Sequence, residues 1–190
     1  MAKPVLRIII GSTRPGRIGP SVAAWIEERA REHGGFDVQL TDLAALNLPL
    51  LDEPNHPRLR QYVNQHTRDW SALVDASDAF IFVTPEYNYG FNAALKNAID
   101  YLHAEWQNKA AGIVSYGGVA AGTRATQMLK QVLTALKIMP VPEAVNIPFV
   151  AQHLDEEKRF KSTELIDASA TAMLDELLRW TESIAVLRNK

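Results

Sequence analysis

The chain has 190 residues, 47% of them hydrophobic, with 20 lysines and arginines against 22 aspartates and glutamates and a formal net charge of -2. That size and balance suit a single domain spanning 1-190 with room for a sizeable core, and no basic stripe is present to hold nucleic acid or an anionic membrane. Cysteine is absent, which removes disulfides, thiol nucleophiles, thiolate zinc and cysteine-ligated iron-sulfur clusters together, so any redox chemistry requires a bound organic cofactor. The five histidines are dispersed without metal-ligand spacing, and the expected partners are small molecules. No segment has the charged start and apolar run of a signal peptide or the length of a transmembrane helix, and the expected compartment is the cytoplasm.

Val5 to Ile10 is an apolar run that breaks at Gly11-Ser12, the pattern of a strand buried on both faces. Val22, Trp25, Ile26 and Ala30 then recur at helical spacing up to a Gly34-Gly35 stop. Phe36 to Leu40 alternates weakly and reads as a second strand, and Leu43 to Pro57, rich in proline and asparagine, reads as mostly loop. Leu59, Tyr62 and Val63, followed by Trp70, Leu73 and Val74, give helical spacing in one or two pieces.

Ala79 to Thr84 is a third strand, rich in β-branched and aromatic residues. Pro85 to Gly90 then leaves the sheet, since Pro85 cannot donate to a ladder and Gly90 tolerates positive φ. Ala93 to about Leu102 is helix-forming, with apolar residues spread round more of the cylinder than one core-facing stripe needs. That spread predicts a partner subunit, in a homodimer or homotetramer; the plainer alternative is coverage by Leu43 to Val63 of the same chain. Ala110 to Ser115 is a fourth buried strand ending in Tyr116-Gly117-Gly118, and Leu129, Val132, Leu133 and Leu136 mark the helix after it. Ala144 to Ile147, between Pro142 and Pro148, is a short fifth strand, and Ser162 is placed to cap a last helix whose buried stripe is Leu165, Met173, Leu174, Leu177, Leu178 and Ile184.

Strands alternating with helices predict an α/β fold, a five-stranded parallel sheet with helices on both faces, in the flavodoxin-like order 2-1-3-4-5. Ligands in such sheets sit beyond the carboxyl ends of the strands. The loops Gly11 to Gly19, Pro85 to Gly90 and Ser115 to Gly118 should therefore converge. The first, Gly-Ser-Thr-Arg-Pro-Gly-Arg-Ile-Gly, offers hydroxyls, two arginines and three glycines before a helix N-terminus, the chemistry of a phosphate cradle. It is neither a P-loop nor a Gly-x-Gly-x-x-Gly turn, and its plainer reading is an ordinary turn with surface arginines. The second offers two tyrosines and an asparagine, which can lie along a flat aromatic ring and bond to its edge.

Together Gly-Ser-Thr-Arg-Pro-Gly-Arg, Pro-Glu-Tyr-Asn-Tyr-Gly with Leu-Lys-Asn-Ala-Ile-Asp, and Ser-Tyr-Gly-Gly resemble the NADPH-dependent FMN reductase family, over about Val5 to Ile147. The resemblance implies FMN as cofactor, NADPH or NADH as electron donor, and a quinone, azo compound, free flavin or metal oxyanion as acceptor. It implies that Ser12, Arg14 and Arg17, with Ile18 and the backbone near Gly19, hold the FMN phosphate. Pro85, Glu86, Tyr87, Asn88 and Tyr89 would line the isoalloxazine, and Ser115, Tyr116, Gly117 and Gly118 its pyrimidine edge or ribityl chain. No catalytic side chain is required, because the flavin carries the hydride, and Glu86 reads as a solvated turn carboxylate. Two positions depart from the family pattern: Arg17 stands where serine is common, and Asn92 where proline is common, a place from which asparagine can cap the next helix. The rival reading, a flavodoxin-type electron carrier without its own NAD(P)H activity, fits poorly with a net charge of only -2.

Overall fold

The computed structural model describes residues 2–188. Along the chain run β1 (Val5–Ile10), α1 (Gly19–His33), β2 (Asp37–Asp42), the single turn α2 (Leu43–Leu46), α3 (Gln65–Asp75), β3 (Ala79–Pro85) and α4 (Ala93–Asp100). They are followed by β4 (Lys109–Tyr116), α5 (Thr123–Ala135), β5 (Ile138–Pro140), β6 (Val145–Ile147) and α6 (Glu164–Ile184). All pairings between these strands are parallel, and the order is β2-β1-β3-β4-β5, as expected.

The sheet is covered on both faces, which is why β3 and β4 are buried at every position, while β2, on the edge, is buried only at Val38 and Thr41. Alternation along β1 and β3 divides the core in two. Leu6, Ile8, Ile10, Ile81 and Val83 pack against α1 and α6, whereas Ile9, Phe80 and Phe82 meet α3, α4 and α5. Trp106, whose ring centroid is 4.9 Å from that of Phe80, fills the second core, and its indole N–H donates to Ile99 O at 3.1 Å.

Several expectations need correction. The fifth strand is two pieces in tandem against β4: Ile138–Pro140 pairs with Lys109–Ala111, and Val145–Ile147 with Val114–Tyr116. Pro140 and Pro142 interrupt the ladder between them, and the first piece hides from a reading that treats proline as a boundary. The second strand is Asp37–Asp42, shifted from Phe36 to Leu40. Leu59, Tyr62 and Val63 are not helical beyond the 3-10 turn Pro57–Leu59; their segment is held by distant groups, Glu53 accepting from Val63 N and Asn64 N at 2.8 and 3.0 Å. The last helix is capped by Thr163, not Ser162, and Leu165 is 77% exposed instead of belonging to the buried stripe.

The spread of apolar residues on α4 is satisfied within the chain. Tyr101 and Leu102 are buried. Segment 49–52 lies over them, with Pro49 O and Asp52 Oδ1 3.1 and 3.0 Å from Tyr101 Oη, and Asn97 bonding Leu51 N and Pro49 O at 2.9 and 2.7 Å. The coverage by Leu43 to Val63 is therefore what this helix uses, and its composition is no argument for a partner.

Candidate functional site

The three loops meet because the ladder continues past the strand ends. Gly11 N donates to Val83 O at 2.9 Å, Glu86 N to Tyr116 O at 3.2 Å, and Gly117 N to Ile147 O at 3.2 Å. In the first loop Ser12 is fully buried and Tyr116 Oη donates to its Oγ at 3.2 Å, from across the sheet. Burial raises the Tyr116 phenol to about 12, a shift its contact with Ser12 only partly opposes. Gly19 closes the packing: a Cβ there would lie 2.5 Å from Ser12 Oγ and 2.9 Å from Tyr116 Oη. Tyr116 thus supports the first loop through its hydroxyl.

The two arginines differ. Arg17 donates to Ser12 O at 3.0 Å and forms an ion pair with Asp42 at the end of β2, so it ties the loop to the sheet. Arg14 is exposed and makes only a 3.3 Å contact with the neighbouring Pro15 O. Ile18 is the N-cap residue of α1, half-buried, with no side-chain hydrogen bond capping the helix and no acidic residue in its first turn.

In the second loop the turn is made by Asn88 and Tyr89, at φ 49° and 73°, closed by Tyr87 N to Gly90 O at 2.8 Å and Gly90 N to Tyr87 O at 3.0 Å. Two central residues of positive φ make this a type I′ hairpin turn. Gly90 is not the left-handed residue the sequence suggested. Asn92 does cap α4, its Oδ1 accepting from Leu95 N at 3.0 Å while its Nδ2 reaches Thr84 Oγ1 at 3.3 Å.

Glu86 is not the solvated carboxylate expected. Its side chain is nearly buried and accepts from Arg124 N and Ala125 N, at 3.1 and 3.4 Å, at the start of α5. Burial raises its pKa, but the Arg124 guanidinium and these amides outweigh it, and the carboxyl is held below its ordinary range. The same guanidinium pairs with Glu86 and lies 3.8 Å from the centroid of the Tyr89 ring. Arg124 escaped the sequence reading because it is 38 residues from Glu86 and belongs to no loop motif; the one available signal was a basic residue in the first turn of α5, where a helix prefers acids.

In the third loop Ser115 is buried, its Oγ 2.9 Å from Ala121 O and 2.9 Å from Asn146 Oδ1, so it braces the loop. Gly117 is tightly enclosed, a Cβ there meeting Gly122 N at 3.3 Å, whereas at Gly118 nothing lies within 4 Å. Glu86, Asn88, Tyr89, Gly118, Val119 and Arg124 line an open cleft of about 300 Å³.

The family profile for NADPH-dependent FMN reductase matches residues 5–152. The chain belongs to the NADPH-dependent FMN reductase family. It is 40% identical over 149 residues to an NAD(P)H-dependent FMN reductase of Schizosaccharomyces pombe, covering 76% of this chain and 74% of the relative. It is 36% identical over 174 residues to one from Saccharomyces cerevisiae, covering 78% and 90%. A flavoenzyme NAD(P)H:(acceptor) oxidoreductase from Paracoccus denitrificans has the same fold, with a TM-score of 0.75 at 21% identity, over 95% of this chain and 98% of that one. As a family member the chain is an oxidoreductase that uses FMN with NAD(P)H as donor.

The residues of this FMN reductase fit a flavin phosphate at one helix in particular. Asp42 caps α2, Asn92 caps α4, Glu86 occupies the N-terminus of α5, and Thr163 caps α6. Among the described residues α1 and α3 begin with no side-chain hydrogen bond capping the helix, and of the two α1 begins in the loop that follows β1, beside Ser12, Thr13 and Arg14. A helix start without a side-chain acceptor, next to an arginine with no acidic partner among the described residues, has the chemistry to accept a phosphate dianion.

Proposed function

We propose that this chain is an NAD(P)H-dependent reductase whose FMN phosphate is held at the start of α1 by Arg14 and the backbone between Ser12 and Gly19. The flavin ring would lie between Pro85 to Tyr89 and Ser115 to Gly118. The observation that carries this reading is the start of α1: among the described residues it has no side-chain cap, unlike α2, α4 and the Glu86-bound α5, and it adjoins Arg14, which has no acidic partner there. When bound, FMN supplies hydride acceptance from NAD(P)H and delivery to an oxidised acceptor.

The protein's part is binding, orientation and electrostatics. Arg17 and Asp42 fix the loop, Tyr116 supports it, and Glu86 joins the second loop to α5. Neither titratable group at the centre is poised as an acid or base near neutral pH: Tyr116 is held protonated and Glu86 ionised. Tyr89 and Val119 line the cleft, and the exposed Tyr87 and Phe149 adjoin its lining residues, Phe149 N donating to Gly118 O at 3.1 Å, an apolar rim that suits a planar acceptor such as a quinone or azo compound over a metal oxyanion. Self-association as a homodimer or homotetramer is part of the same reading, supported by Leu50, 82% exposed, and by Leu51 and Leu59 on the segment across α4.

The test is reconstitution with FMN followed by anaerobic addition of NADPH, then NADH. A flavin spectrum that bleaches with either donor, and recovers on adding a quinone, is expected. A protein that binds no FMN, or binds it without bleaching, overturns the proposal.

A further inference from the structure

We infer that Arg124 is a positioning residue that holds the Tyr89 ring as one wall of the cleft. This rests on the proposed function, because the ring matters to catalysis only if the cleft is the site of the flavin and acceptor. The motivating observation is a mismatch between residue and conformation. A type I′ turn favours Asn-Gly at its two central positions, and this chain has Asn88-Tyr89 there, with Gly90 one place too late to take the left-handed conformation. An aromatic residue at φ 73° is strained, and such residues persist where their surroundings over-determine them.

What over-determines Tyr89 is its contact with α5. Tyr89 is 65% exposed and, among the described residues, its ring has no aromatic stacking partner, but the guanidinium of Arg124 lies 3.8 Å from the ring centroid. Arg124 is fixed in turn by the ion pair with Glu86, whose carboxylate also takes the first amides of α5. Ring, guanidinium and carboxylate thus form a chain that ties the second loop, at Glu86 and at Tyr89, to the start of α5 along the cleft. A lysine could pair with Glu86 but cannot lie flat on the ring.

Amide hydrogen exchange in the FMN-free protein tests this, at the Tyr87 and Gly90 N–H groups that close the turn. Arg124→Ala should speed exchange at both about two- to fivefold, the range of an exposed cation-π contact, and Arg124→Lys should not restore it. Tyr89→Gly should slow exchange below the wild-type rate, because glycine removes the strain, and in that background Arg124→Ala should have no effect. With FMN bound, Arg124→Ala should raise KM for a quinone and leave kcat nearly unchanged. Equal exchange in wild type and Arg124→Ala, full rescue by lysine, or an unchanged Arg124→Ala effect in the Tyr89→Gly background overturns the inference. A wild-type chain that fails to bind FMN would instead defeat the proposed function, with the exchange results still deciding the contact.

Discussion

At the scale of single residues, the two arginines of the first loop are held differently: Arg17 is paired with Asp42 and the Ser12 carbonyl, whereas Arg14 is exposed and is the one proposed to hold the FMN phosphate. Arg14→Ala should weaken FMN about tenfold to a hundredfold, the range of a lost charge-assisted bond, and leave thermal stability unchanged, as read by titrating apo-protein. Arg17→Ala should lower both, since it frees the Ser12 carbonyl and leaves Asp42 without its partner. The glycines make a second contrast. Gly19→Ala must displace Ser12 or Tyr116 and should destabilise the fold by about 1 to 3 kcal/mol, as overpacking does, whereas Gly118→Ala meets no atom within 4 Å and should leave the melting temperature alone. If Gly118→Ala nevertheless weakens FMN, the flavin lies over it; unaltered affinity would place it elsewhere. The sequence showed which loops would gather but not these divisions of labour, because Asp42 lies 25 residues beyond Arg17 and Tyr116 lies 104 beyond Ser12.

At the scale of elements, Glu86 couples the end of β3 to the start of α5, a helix whose own N-cap residue, Gly122, has no side chain to offer. Glu86→Gln should cost about 1 kcal/mol, the usual worth of a cap, and lower the melting temperature by roughly 2 to 4 °C in a chain of this length. Because folding holds the Glu86 carboxyl below its ordinary pKa, its contribution is complete above the unfolded value and disappears as pH falls through the folded one. The variant should therefore lose its deficit in acid, and a deficit independent of pH would contradict the assignment. Long apolar runs made β1, β3 and β4 legible in advance, since strands covered on both faces write their burial into every position. The segment between Leu43 and Val63 was not, because its shape comes from Glu53, Asn97 and Tyr101, contacts that no local period encodes.

For the whole molecule, pH should act most visibly through Lys109, far from the loops. Its ammonium is buried against Val74 O and Asp75 O, at 2.7 and 3.1 Å, and burial lowers its pKa from 10.5 to about 8. Below that value both folded and unfolded chains carry the proton and the buried charge opposes folding; between it and the unfolded value only the unfolded chain does, so stability rises with pH. The stability of wild type relative to Lys109→Met should therefore grow by about 2 kcal/mol between about pH 7 and 9.5, measured by urea unfolding. A constant difference would show that Lys109 does not titrate in this range. The predicted strand order was correct as a whole because alternation and crossover handedness leave few windings, while the division of the fifth strand depended on two prolines whose consequences are three-dimensional. That division also bears on solubility during folding. Neither Ile138–Pro140 nor Val145–Ile147 is long enough to recruit a strand from another molecule, and Pro140 lacks the N–H such an addition would need. Together they shield β4, whose Ala110 to Val114 stretch has no charge, so refolding chains in which these two short pieces dock last should aggregate through β4, and faster docking of either piece should raise the refolding yield.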